Sequence, residues 1–218
     1  MGKLSVKQIL DTLEGQLLLG KTYLSISTGL RNAEPIVFGA APTFFGVMSD
    51  GGFVMAQMCL ARLYDKHRGT VTIALLFEEA NRHPEVFQRA DATQVAKAVV
   101  ECKVKVSNLA SVLAAITHRR DTWFAHIDPR AVNDPTTHQA KAELTVDQLL
   151  HAFTETEGII QEFECLFDGS VGPIRFLGGD DYKNIFSVLR RAAADEMREF
   201  DEAFKAQFGH PPPKANPE

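Results

Sequence analysis

Arg120 and His126 are the residues of this sequence whose types and spacing best suit chemistry on a phosphate. A histidine, with an unperturbed pKa of about 6.5, takes or gives a proton near neutral pH, and the planar guanidinium of arginine matches phosphate oxygens. Both lie in the run from His118 to Asp128, with Arg119, Asp121 and Trp123 beside them. Arg120 stands out by its phase. Val95, Val99, Cys102, Val106, Leu109, Leu113 and Ile116 recur by fours and threes, and the next positions in line are Arg120, Trp123 and Ile127. Burying a guanidinium on such a stripe costs on the order of several kcal/mol unless it is paired. Two readings follow. Either the helix has reached the surface by Arg120, or Arg120 pairs with a carboxylate such as Asp121 or Asp128, and the residue is structural; or Arg120 works on a phosphate together with His126.

Helix geometry constrains the second reading. Six steps of a regular helix leave Arg120 and His126 about 120° apart around the axis, so one unbroken helix does not aim both at one phosphate. Arg119 and His126, seven apart, would share a face. Either the helix is distorted here, or two copies of the chain face each other and complete a composite site.

The elements that must hold these residues read as helices. The 15 glycines all lie outside residues 70–157, whereas a β-sandwich or barrel needs turn residues every 8–12 positions or so. Ser5 with Gln8 makes a capping box for a first helix reaching about Ser27, and the segment Gly29 to Pro42 ends it. A second helix is expected from about Pro42 to His67, with a break near Ser49 and Asp50 suggested by Gly46, Gly51 and Gly52. A shorter helix follows over Val71 to Asn81. Asp91 with Gln94 opens the long regular helix, and Thr145 with Gln148 caps another that carries Leu149, Phe153, Ile160 and Phe163. The last helix is expected from about Asp181 to Phe208, with a core signal that fades after Leu189. The expected fold is all-α, an antiparallel bundle of about five to six helices forming one domain over residues 1–208. Residues 181–208 form its helical extension and 209–218 a proline-rich, extended tail.

Composition narrows the function classes. With 45% hydrophobic and 23% charged residues the chain is of ordinary globular composition, and its net charge of -5 argues against a general nucleic-acid coat or a membrane-surface protein. Between Lys97 and Arg130, however, six basic residues face three acidic ones, so a local anion site fits. Three cysteines (Cys59, Cys102, Cys165) without paired spacing argue against a disulfide framework and a structural zinc site and suggest a reducing, cytoplasmic setting. The longest apolar run, Ile36 to Met48, is broken by Pro42, and no membrane span or signal peptide is expected. His83, His138 and His151 lack ligand spacing, and no glycine-rich phosphate loop, serine elbow or Cys-x-x-Cys is present, so neither a metal nor a cofactor is expected.

An arginine, a polar residue and then a histidine near the end of a long helix, here Arg120, Asp121 and His126, resemble the motif of the HEPN superfamily. The string from Arg120 to Asp128, with Ala125 before His126, looks like its AbiU2-like branch, named for phage abortive-infection proteins. The segment Leu60 to Asp65 and the amphipathic stretch Val71 to Asn81 are similar to that branch as well, and the resemblance covers about residues 1–168. It implies metal-independent RNA cleavage in phage defence or as a toxin, with Arg120 and His126 catalytic. His126 would handle the proton of a ribose 2'-hydroxyl or of the leaving oxygen, and Arg120 would stabilise the charge on phosphorus. Asp121 would orient Arg120 or His126, and Arg119 would hold the substrate backbone. Trp123 and Asp128 are candidates for substrate contact, although an aromatic in stripe phase equally suits the core. The implied partners are RNA, a second copy of the chain, and an antitoxin or defence protein. A non-catalytic module that binds RNA or a nucleotide, or mediates helical assembly, is the alternative. Arg62 and His67 repeat the spacing, but Leu63 lacks the polar character expected after the arginine, and that pair reads as structural.

Overall fold

The computed structural model describes residues 4–67, 69–124, 143–170 and 181–210, with positions 133, 134, 136 and 172 between them. Among the described residues there are eight α-helices and no strand: α1 (Val6–Arg31), α2 (Pro35–Ala40), α3 (Pro42–Leu63), α4 (Ile73–Arg82), α5 (Ala92–Asn108), α6 (Ala110–Arg119), α7 (Val146–Asp168) and α8 (Tyr182–Phe208). A 3-10 turn, Pro84–Val86, precedes α5, and a π-helical turn, Arg120–Phe124, extends α6. The all-α expectation holds.

The three capping boxes expected from sequence form. Gln8 N donates to Ser5 Oγ at 3.2 Å while Ser5 N donates to Gln8 Oε1 at 2.9 Å. Asp91 with Gln94 and Thr145 with Gln148 repeat the exchange at 2.8 to 3.1 Å. Each box satisfies two amide donors that the first helical turn otherwise leaves unpaired.

The core is built on α1, which packs antiparallel against α3. Ser27 Oγ donates to the Ser49 carbonyl at 2.7 Å, Arg31 reaches Asp50 at 3.2 Å, and Gly20 lies at the other end of the contact beside Cys59. Gly20 also meets α7, where a Cβ would stand 2.6 Å from the Phe153 ring and 2.9 Å from Cys59 Cβ. Only a glycine lets the three helices meet there. Leu13, Leu17, Leu24, Leu60, Leu149 and Ile160 are fully buried around this point.

Four local departures from the sequence reading have physical causes. The stretch between Gly29 and Pro42 contains a short helix, α2, with Pro35 in its first turn, where the missing amide hydrogen is no loss. No break occurs in α3 at Ser49 and Asp50: Gly52 is buried against α1, where a Cβ would stand 3.0 Å from the Tyr23 carbonyl, so this glycine serves close packing and not a turn. α3 also ends at Leu63, not at His67. The long helix from Asp91 divides at Leu109, which bonds to the Val106 carbonyl three residues back (3.1 Å) and starts α6. Leu109 is nonetheless buried, and every member of the stripe from Val95 to Ile116 is buried or half-buried.

By length and composition α3 could cross a bilayer, with a mean hydropathy of 1.3 over its most apolar window. Half of that window is buried within the protein, where Phe53, Ala56, Leu60 and Leu63 belong to the core. As expected, α8 fades from the core. Phe186 is its only buried residue, and Tyr182, Phe186 and Leu189 form a smaller cluster with Leu30, Val37 and Phe45.

Candidate functional site

The stripe that builds α5 and α6 delivers Arg119 and Arg120 to the end of α6, and the two side chains serve different neighbours. The Arg119 guanidinium lies over the Phe53 ring of α3, 5.8 Å from its centroid, and Arg31 of α1 lies over the same ring at 4.7 Å. Two cations flank one aromatic ring there, each favoured by its negative π-face. Burial first, and the positive charge of Arg31 second, pull the pKa of Arg119 below the ordinary arginine value.

Arg120 faces Asp121 and Asp65. Its Nε donates to Asp121 Oδ1 at 2.7 Å, and its terminal nitrogen lies 3.9 Å from Asp65 Oδ1, just beyond the end of α3. The bond to Asp121 raises the pKa of Arg120 further. The Arg120 side chain is 28% exposed, so the residue is neither in the core nor freely solvated. Of the structural alternatives, pairing to Asp121 is present, and Asp65 is a second partner that no spacing in the sequence pointed to.

Arg120 and Asp121 sit at the edge of a cavity of about 1030 Å³ bounded by the end of α3, α4, α5 and α6. Its apolar wall includes Phe77, Val106 and Leu113, and Lys66, Lys103, His118 and Arg120 bring basic groups to it. Tyr64 also lines it, with its hydroxyl 2.8 Å from Thr156 Oγ1. Because Thr156 Oγ1 donates to the Ala152 carbonyl at 2.6 Å, the tyrosine is the donor in that pair. Burial pushes the Tyr64 phenol up to about 12. The local excess of basic residues is divided: Lys103 and Arg120 line the cavity, while Lys97 pairs with Glu101 on the surface at 3.7 Å.

The helix is distorted at the end of α6, one of the two arrangements that the sequence geometry left open. Arg120 to Phe124 form a π-turn, in which Thr122 is buried. His126 and Asp128 lie outside the described residues, as does the side chain of Trp123. The structure thus joins Arg120, Asp121 and Asp65, and sets Arg119 apart with Arg31 and Phe53. Arg62, of the repeated spacing, is exposed on α3. Among the described residues no three His, Cys, Asp or Glu side chains converge as a metal site would require.

A family model described as HEPN_AbiU2 (AbiU2) matches residues 4–195. The chain belongs to the AbiU2 family of HEPN domains. No curated protein and no solved structure matches the chain. Within this HEPN domain the match runs beyond residue 168 and takes in the first half of α8, so the helix that packs on α2 through Phe186 is part of the family pattern. The segment Leu60 to Asp65, which carried part of the resemblance, holds the residue that meets Arg120.

Proposed function

We propose that this HEPN protein is a metal-independent endoribonuclease of the cytoplasm, acting in phage defence or as a toxin. Arg120 and His126 are its catalytic pair. The 2'-oxygen of a ribose attacks the adjacent phosphorus, its proton passes to a base, and the 5'-oxygen of the next nucleotide leaves as a hydroxyl. A 2',3'-cyclic phosphate remains. His126 handles one of the two protons, and Arg120 stabilises the charge that builds on the non-bridging oxygens. Asp121 and Asp65 hold the guanidinium in place, and Trp123 and Asp128 contact the substrate; Arg119, seated on Phe53, is left to the fold.

The observation that carries this reading is the position of Arg120. The residue that corresponds to the family motif is a half-buried cation on a π-turn at the edge of a large cavity, oriented by a carboxylate at 2.7 Å. Such turns occur often at functional sites. Because six steps of a regular helix do not bring Arg120 and His126 to one face, the reading includes a homodimer in which two copies complete the site. A restraining antitoxin or defence protein is a further partner.

Purified protein incubated with mixed RNA in EDTA tests the reading. Wild type should cut, and Arg120→Ala or His126→Ala should lower the rate by about 10²- to 10⁴-fold, the usual weight of a positioned acid or base. A non-catalytic RNA- or nucleotide-binding module is the second reading, favoured by the two carboxylates already beside Arg120. It predicts RNA binding weakened by Arg120→Ala without any cleavage.

A further inference from the structure

The cleavage proposed above moves two protons, and His126 accounts for one of them. The attacking 2'-oxygen and the leaving 5'-oxygen stand on opposite sides of the phosphorus, roughly in line, so a single side chain does not serve both. The second oxygen needs its own group, one that holds and releases a proton near neutral pH. That group must share the cavity on whose edge Arg120 marks the place of the phosphate.

The titratable and charged groups around this cavity are few, and their chemistry sorts them. The end of α3 brings Tyr64, Asp65 and Lys66, α5 brings Lys103, and α6 with its π-turn brings His118, Arg120 and Asp121; α4 adds no charge among the described lining residues. Arg120 keeps its proton, the more so for its bond to Asp121. Asp121 and Asp65 are engaged with that guanidinium, at 2.7 and 3.9 Å. Tyr64 donates its proton to Thr156, and burial pushes its phenol up to about 12. Lys66 and Lys103 are exposed ammonium groups, which suit the attraction of phosphate charge. His118 is left. It stands half-buried on the last turn of α6, two positions before Arg120 and on the same cavity.

We propose that His118 is the general acid of the cleavage and gives its proton to the 5'-oxygen as that oxygen leaves. The inference rests on the ribonuclease reading. In the balanced step His126 takes the proton of the 2'-hydroxyl, the 2'-oxygen bonds to phosphorus, the bond from phosphorus to the 5'-oxygen breaks with its electron pair on oxygen, and the proton of His118 goes to that oxygen. A 2',3'-cyclic phosphate and a 5'-hydroxyl result, with His126 protonated and His118 neutral, and solvent restores both.

A leaving group that needs no proton tests the role of His118. Wild-type protein first maps the cleaved linkage in an RNA oligonucleotide, which is then made again with sulfur in place of the bridging 5'-oxygen. A thiolate leaves unprotonated, because a thiol is a far stronger acid than an alcohol. In single turnovers His118→Gln should cut the oxygen-linked RNA about 10²-fold more slowly than wild type and the sulfur-linked RNA within about threefold of it. His126→Ala should be slow on both. The wild-type rate on the oxygen-linked RNA should fall on the alkaline side of its pH profile, and His118→Gln should lack that fall. Recovery on the sulfur-linked RNA also shows that the variant is folded. If His118→Gln cuts the oxygen-linked RNA at the wild-type rate, or is slowed equally on both substrates, the role of His118 is overturned and the ribonuclease reading stands. A wild type that cuts no RNA would overturn that reading and this inference with it.

Discussion

The Arg120 guanidinium lies 3.9 Å from the carboxylate of Asp65, which joins the π-turn after α6 to the chain just past α3. Asp121 holds the other side of the same guanidinium at 2.7 Å. Two carboxylates thus fix the orientation of a cation that phosphate would otherwise have to order for itself. Asp65→Asn should change folding stability by less than about 1 kcal/mol, because the pair is partly solvated. It should lower the rate of RNA cleavage about tenfold, equivalent to about 1.4 kcal/mol in the barrier. Single-turnover cleavage and a denaturant melt of the same preparation check both parts.

Gly20 and Gly15 lie on the same helix but in different surroundings, which makes them a matched pair. A Cβ at Gly20 would stand 2.6 Å from the Phe153 ring, whereas nothing lies within 4 Å of one at Gly15. Gly20→Ala should destabilise the fold by about 1–3 kcal/mol through overpacking. Gly15→Ala should stabilise it by roughly 0.5–1 kcal/mol through helix propensity. Denaturant midpoints for the two variants are expected to move in opposite directions.

The three cysteines should differ sharply in reactivity. Cys59 and Cys102 are buried, and burial raises both thiol pKa values, that of Cys102 to about 11; Cys165 is exposed. An alkylating reagent at about pH 8 should therefore modify Cys165 alone in the folded protein and all three after denaturation. Mass spectrometry of digested, alkylated protein distinguishes the two patterns.

Alkaline unfolding should begin below pH 12 and reflect two buried groups. Folding raises the Cys102 thiol from 9.0 to about 11 and the Tyr64 phenol from 10.0 to about 12, so the unfolded chain loses these protons first. The stability they contribute is complete below pH 9 and is lost as the pH rises through the folded values. Tyr64→Phe should flatten the upper part of that fall, at a cost of about 1 kcal/mol at neutral pH for the lost bond to Thr156. Urea melts from neutral pH upward give the profile.

The helical elements were legible in the sequence because their signals are local. Ser5, Asp91 and Thr145 each bond within their own first turn, and the stripe from Val95 to Ile116 reports burial by spacing alone. Glycines misled where their reason was tertiary: Gly52 looks like a helix breaker and is a contact point for α1. The division at Leu109 left no trace because Leu109 keeps its inward phase through it. At the site, the mismatch of Arg120 with its stripe was visible, as was its pairing with the adjacent Asp121. Asp65 was not, since a contact between segments so far apart in the chain has no periodicity to betray it. The stacking of Arg31 and Arg119 on Phe53 was hidden for the same reason.

The central claim is the use of Arg120 and His126 to cut RNA through its own 2'-oxygen, and the end chemistry of the products tests it most directly. Fragments generated by the wild-type protein in EDTA should carry a 2',3'-cyclic phosphate and a 5'-hydroxyl, and should disappear with His126→Ala or Arg120→Ala. Fragments with a 3'-hydroxyl and a 5'-phosphate, or cyclic ends produced equally by the two variants, would contradict the account.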